Sequence, residues 1–283
     1  MTPQRRFIKA LDRPGLQPVL AFLATRYARR KTGLDVQIFH DAGWIRRVGD
    51  YYLAESTTFD WQAGQIAAWR DDLGDILDMH RDWWFYQYKP KEGDVVLDVG
   101  AGVGEATLLF SKSVGRRGRV LSVEAHPTTF QLLQKTCRYN QLDQNTTCLQ
   151  RAVMDKAGNI SIDKRAHQGS TVRLSENHDP SLLHIAASSL DELCADQSIS
   201  QVDFLKMNIE GAERFAIQGM PRMIERTRAL CIACHDFIGA RDDFYRTKAL
   251  VIDYLRNHNF EVVTREQRPE PWARDHVYGI RRP

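Results

Sequence analysis

The stretch Val95-Val96-Leu97-Asp98-Val99-Gly100-Ala101-Gly102-Val103-Gly104-Glu105 decides the fold. An apolar strand carrying one acid runs into three glycines on alternate positions, which take the chain through a tight turn into a helix. Glycine adopts positive φ freely and lets a ligand come close to the backbone. A dinucleotide site needs the spacing G-x-G-x-x-G, with its third glycine at the helix contact. Here the position three after Gly102 is Glu105, and the third glycine comes one residue early, at Gly104. This spacing argues against NAD and other pyrophosphate cofactors. A plain turn would also use small residues; the acid and the apolar strand before them point instead to a ligand loop.

Outward from this loop, strand and helix patterns alternate. Val95–Val99 reads as a strand, Glu105–Val114 as a helix and Val120–Glu124 as a second strand. His126-Pro127 opens a further helix, because proline is tolerated at the first helical position. Thr146–Val153 reads as a third strand. Asn159–Asp163 and Gly169–Leu174 read as short strands of an insertion at about 155–187. Ser189-Leu190-Asp191-Glu192 is a capping box, and Asp203–Asn208 is the fourth strand. A helix begins at Glu213, with Pro221 as a kink or break. Ala229–His235 is the fifth strand, Thr247–Asn257 a helix, and Phe260–Thr264 and His276–Arg281 the last strands. Such alternation predicts a mostly parallel sheet with helices on both faces.

The first ninety residues have a different character. Gln17–Arg30 and Gly64–His80 read as helices, and Trp44–Val48 with Tyr51–Ala54 flank Gly49-Asp50 as a hairpin. Trp83, Trp84, Phe85, Tyr86 and Tyr88 form an aromatic cluster that is either a wall over the active site or a core seam. Residues 1–31 hold eight basic residues (Arg5, Arg6, Lys9, Arg13, Arg26, Arg29, Arg30, Lys31) against Asp12 alone. A solvated basic surface is the simpler reading; weak attachment to an anionic membrane surface stays open.

Composition narrows the class. The net charge of +3 gives no case for a nucleic-acid partner. The longest apolar run near the start, Val19–Ala24, is too short to span a membrane, and a cytoplasmic protein is expected. Five cysteines, an odd number, show no framework spacing. Cys231 and Cys234 lie three apart on a strand, so they point to opposite faces and read as buried thiols.

In a parallel sheet, ligands bind beyond the carboxyl ends of the strands. Asp98, Glu124, Asn208 and His235 stand at or beside those ends. A carboxylate at Glu124 suits the two hydroxyls of a ribose. The candidate cofactor residues are Asp98, Gly100, Ala101, Gly102 and Gly104 on the loop, Glu124, Ala152 in the third strand, and Asn208.

Three ordered motifs now fall together: Asp98-Val-Gly-Ala-Gly-Val-Gly104, Ser122-Val-Glu-Ala-His-Pro127 and Phe204-Leu-Lys-Met-Asn-Ile-Glu-Gly-Ala-Glu213. They resemble the FkbM-type S-adenosylmethionine (SAM) methyltransferases over about Gly93 to His235. The family's usual Asp in the last motif is Asn208 here, which keeps hydrogen bonding and loses charge. The resemblance implies a Rossmann-like α/β fold: a doubly wound, mostly parallel seven-stranded sheet with a C-terminal antiparallel strand. Residues 1–89 would form an α+β extension covering the substrate, and residues 90–283 the SAM-binding domain. SAM is the implied cofactor, and O-methylation of a hydroxyl on a sugar or natural-product-type small molecule the implied reaction. Carboxyl O-methylation and a non-catalytic SAM-binding module are the alternatives.

A hydroxyl acceptor must lose its proton. His235 is the first candidate base, since imidazole titrates near neutral pH; Glu210 and Asp236 are alternatives. A Mg²⁺ ion on Asn208, Glu210 or Asp236 is conceivable chemically, but Asn208 in place of Asp disfavours it, and no metal ligands are assigned.

Overall fold

A computed structural model describes residues 10–59, 73–164, 172–173, 182–239 and 242–282. The expected helix start at Gly64, most of the predicted strand Gly169–Leu174, and Arg5, Arg6 and Lys9 lie outside the described residues.

The centre is a seven-stranded sheet. Its strands are β4 (Val95–Val99), β5 (Arg119–Glu124), β6 (Thr146–Gln150), β11 (Val202–Met207), β12 (Thr227–Ala233), β13 (Phe260–Thr264) and β14 (His276–Arg281). Their spatial order is β13-β14-β12-β11-β4-β5-β6. The five strands from β12 to β6 are parallel, and β14 runs antiparallel between β12 and β13. The expected fold class is the observed one. Strand alternation fills both faces. Leu97, Val99, Leu121 and Leu205 pack with α5 (Leu190–Asp196) and α7 (Lys248–Asn257). Val96, Val120 and Phe204 pack on the other face with α3 (Glu105–Val114) and with Trp84 of α2 (Leu73–Trp84). Cys231 and Cys234 fall into these two different cores, as free buried thiols.

Within this apolar sheet lies a buried ion pair. Lys206 Nζ of β11 donates to Asp98 Oδ1 of β4 at 2.8 Å and to the Gly100 carbonyl at 2.6 Å. Thr107 Oγ1 of α3 donates to the other Asp98 oxygen at 2.6 Å. The Trp84 ring stands against the ammonium, 5.2 Å from ring centre to Nζ.

The N-terminal region forms α1 (Gln17–Thr32) and an antiparallel sheet of β1 (Val36–His40), β2 (Trp44–Val48) and β3 (Tyr51–Ser56). The hairpin was legible; β1 was not assigned, although Val36 and Ile38 alternate into the core. Both sheet edges are covered. Thr25 of α1 donates to the Ile38 carbonyl and accepts its amide. On the other edge, Thr136 and Asn140 at the end of α4 (Pro127–Tyr139) accept the amides of Ala54 and Tyr52. The aromatic cluster is largely a core seam: Phe85 and Tyr88 pack on Phe204 and Trp84 is buried, while Tyr86 is exposed.

Three expectations shift. The predicted strand Thr146–Val153 divides: after β6 the chain leaves the sheet, and β7 (Ala152–Val153) pairs in parallel with β10 (Leu182–Ser188). β10, β8 (Gly158–Asp163) and β9 (Val172–Arg173) complete a four-stranded sheet with β7, larger than the two short strands expected of the insertion. The helix from Glu213 stops after one turn as α6 (Glu213–Ala216). Beyond Pro221, Asp191 Oδ2 and Oδ1 accept the amides of Arg222 and Met223 and hold the chain in turns.

Replacing Lys206 by Met leaves Asp98 as a buried charge without its partner. Urea denaturation of Lys206→Met should show a stability loss of about 3–5 kcal/mol; a change within about 0.5 kcal/mol would show the pair to be dispensable.

Candidate active site

The glycine loop after β4 and the loop after β11 cross at the carboxyl edge of the sheet, where the order turns from β5 on one side of β4 to β11 on the other. Asn208 N donates to the Val99 carbonyl at 3.0 Å. A Cβ on Gly100 would lie 2.0 Å from the Asn208 carbonyl oxygen, so only glycine fits where the loops touch.

A pocket opens at this crossing. Its walls include Gly100, Gly102, Glu124, Ala152, Asn208 and Glu210. Six of the residues expected from sequence thus converge on one cavity. Ala101 and Gly104 are in the loop but outside the lining. Asp98 is fully buried behind it, both oxygens held by Lys206 and Thr107. Asp98 is therefore corrected from a ligand contact to an anchor of the loop.

Glu124 is held by backbone on both oxygens. Oε2 accepts the Gly102 amide at 3.0 Å and Oε1 the His126 amide at 2.9 Å. Burial raises its carboxyl above the usual range, against the pull of these two amides. Each oxygen keeps a further lone pair. Beside it, Val123, Ala125, Val153 and Ile162 make an apolar slot. Ile162 belongs to β8, so the insertion supplies part of this wall. Sequence reading did not mark Ile162 for this, because it reaches the pocket only through the pairing of β8 with β10 and of β10 with β7.

The other side of the pocket carries charge. Glu210 has φ +54°, a left-handed backbone rare outside glycine. His235 Nε2 lies 3.3 Å from its Oε2, and His235 Nδ1 lies 3.6 Å from Glu213 Oε1. Burial disfavours a charged ring, but the carboxylates of Glu210 and Glu213 outweigh it and His235 is pushed up to about 10. A ring raised in this way favours keeping its proton at neutral pH, which counts against the expected role of His235 as base. It also stands behind Glu210, outside the pocket wall. Asp236 likewise lies outside the pocket wall. Its Oδ1 accepts the amides of Thr247 and Lys248 at 3.0 and 2.9 Å, capping α7.

Glu213, fully buried, ties the region together. It accepts the Ile209 amide at 3.1 Å and the Thr247 hydroxyl at 3.3 Å. Its role and that of Lys206 were not assigned from sequence. The signal existed: a lysine within Phe204-Leu205-Lys206-Met207, inside a buried parallel strand, requires a buried carboxylate, and Asp98 is the one acid of the adjacent strand β4. Among the described residues, no three His, Cys, Asp or Glu side chains are grouped to hold a metal ion.

The chain matches the Methyltransferase FkbM domain over residues 98–262. No curated protein matches it. Among solved structures it is similar to Aeropyrum pernix fibrillarin in complex with natively bound S-adenosyl-L-methionine, at 16% identity and TM-score 0.43 over 87% of this chain and 82% of that one. A SAM-dependent methyltransferase from Aquifex aeolicus shows 16% identity and TM-score 0.41 over 74% and 96%. A precorrin-6y C5,15-methyltransferase from Geobacter metallireducens shows 12% and 0.39 over 74% and 84%. The family match spans more than half of the 283 residues, and the chain belongs to the FkbM methyltransferase family, a family of SAM-dependent methyltransferases.

Proposed function

We propose that this protein transfers the SAM methyl group to a hydroxyl oxygen of a small molecule of sugar or natural-product type. The observation that carries this reading is Glu210, a carboxylate on the pocket wall at the loop crossing, ion-paired to His235. SAM, when bound, supplies a methyl group already activated for transfer to a nucleophile. Gly100 and Gly102 would pass along its amino-acid end, with Asn208 hydrogen-bonding there. Glu124 would take the ribose hydroxyls on its remaining lone pairs, and the slot around Ile162 and Ala152 would take the adenine.

The chain must then align the acceptor and receive its proton. A hydroxyl becomes strongly acidic as its oxygen gains a carbon, so a carboxylate suffices as the receiver. Glu210 would accept the hydrogen bond and then the proton. His235 acts through Glu210, fixing the carboxylate and its left-handed backbone. A carboxylate acceptor would need no base and would be repelled by Glu210, as would a polyanion. The N-terminal region would cover the acceptor side; in its last helix Trp83 lies 5.4 Å from His80 and 6.4 Å from His276 between ring centres. Among the described residues no helix is long and apolar enough to cross a membrane, and five unbridged cysteines suit a reducing, cytoplasmic setting.

Calorimetry on Glu124→Ala should show SAM affinity weakened by about 1–3 kcal/mol; unchanged affinity would remove Glu124 from the ribose. Glu210→Gln should lower kcat by about 10²–10⁴-fold with SAM affinity nearly intact, measured as S-adenosylhomocysteine release with a hydroxylated acceptor; a kcat near wild type would place the proton elsewhere. The His235 pair also predicts a pH signature. Its folded value lies near 10 against an ordinary 6.5, so the folded state binds more protons between those limits. The stability it contributes is complete below pH 6.5 and falls as pH rises towards 10. Melting curves should show the margin of wild type over His235→Gln shrinking across that window; a constant margin would mean that the ring is not charged in the fold.

A further inference from the structure

Ten large apolar side chains are exposed among the described residues, and five of them (Leu16, Val19, Phe22, Leu23 and Tyr27) belong to α1 or its N-cap. Each is between 44% and 59% exposed. At about 100° per residue they occupy one side of the helix, across roughly 140° of arc. The opposite side, Leu20, Ala21, Ala24 and Ala28, is buried against the β1–β3 sheet. Arg26 and Arg30 project within the exposed apolar sector, and the helix contains no acid. The one acid of the preceding segment, Asp12, is turned inward, accepting Trp44 Nε1 at 3.0 Å and the Phe59 amide at 2.7 Å.

We infer that this face of α1 docks the protein on an anionic lipid bilayer surface. An apolar sector flanked and interrupted by arginines matches the acyl–headgroup boundary: the apolar side chains enter to about 5–10 Å while the guanidinium groups reach lipid phosphates. Electrostatic attraction by the basic N-terminal segment adds to this. A second copy fits less well. In a two-fold contact the patch meets itself, which would set Arg26 and Arg30 against their own equivalents with no acid on the helix to offset them.

The test is cosedimentation of the full-length protein with phosphatidylcholine vesicles, with and without phosphatidylglycerol. Binding is expected to vesicles containing phosphatidylglycerol and to weaken with salt. Phe22→Ser with Leu23→Ser should reduce it at least about tenfold. Arg26→Gln with Arg30→Gln should remove the preference for anionic lipid. These side chains are exposed, so circular dichroism and SAM affinity should be unchanged, which separates this outcome from misfolding and from any failure of the site assignment. No sedimentation with anionic vesicles, or sedimentation indifferent to both double variants, overturns the inference. A concentration-dependent dimer seen by light scattering and abolished by Phe22→Ser with Leu23→Ser also overturns it, and assigns the face to a second copy.

Discussion

An ammonium group in the middle of a buried parallel sheet is tolerable only if its charge is met there. Lys206 meets Asp98 and the Gly100 carbonyl at once. That one constraint joins β11 to β4 at the height where both strands give way to loops, and it fixes the start of the glycine turn. Thr107 reaches the same carboxylate from α3, so the helix after the turn is placed by the same group. The ion pair costs desolvation and yields positional definition: the glycine loop is held from below by charge, while Gly100 and Gly102 face the pocket.

The second loop is held by the same device. Glu213 takes the Ile209 amide, the Thr247 hydroxyl and the charge of His235. With those contacts made, Glu210 is kept in a left-handed conformation that an isolated chain would rarely adopt. Gly211 follows because a Cβ there would meet the Phe244 ring at 2.6 Å. A strained residue bearing a carboxylate, beside a charged imidazole, is an arrangement that packing alone does not require. The same residue lines the pocket wall.

The N-terminal region is joined to the methyltransferase core by polar groups as well as by packing. Asn140 pairs with both the amide and the carbonyl of Tyr52, much as a neighbouring strand would. Asp41 gathers Lys135, Arg138 and the Tyr139 hydroxyl. All of these partners sit on or next to α4, the helix that His126 starts at the rim of the pocket. The extension is therefore seated directly on a helix that lines the pocket through His126 and Thr129.

By itself the sequence determined the sheet, the glycine loop and the strand-end position of Glu124, because apolar periodicity and glycine spacing are local and repeat along the chain. It also placed Asn208 at the end of the fourth strand and the capping box at Ser189. It did not determine what those residues do. The protonation of His235 depends on Glu210 and Glu213, which are distant along the chain and adjacent only after β11 and β12 pair. Asp98 looked like a strand-end acid and is taken up by Lys206 and Thr107, while Asp236, an alternative base, gives its Oδ1 to the amides opening α7. Ile162 becomes a pocket residue through strand pairing in the insertion. Charge state, hydrogen-bond occupancy and solvent access are properties of neighbours in space, and only the tertiary structure decided which neighbours each residue has.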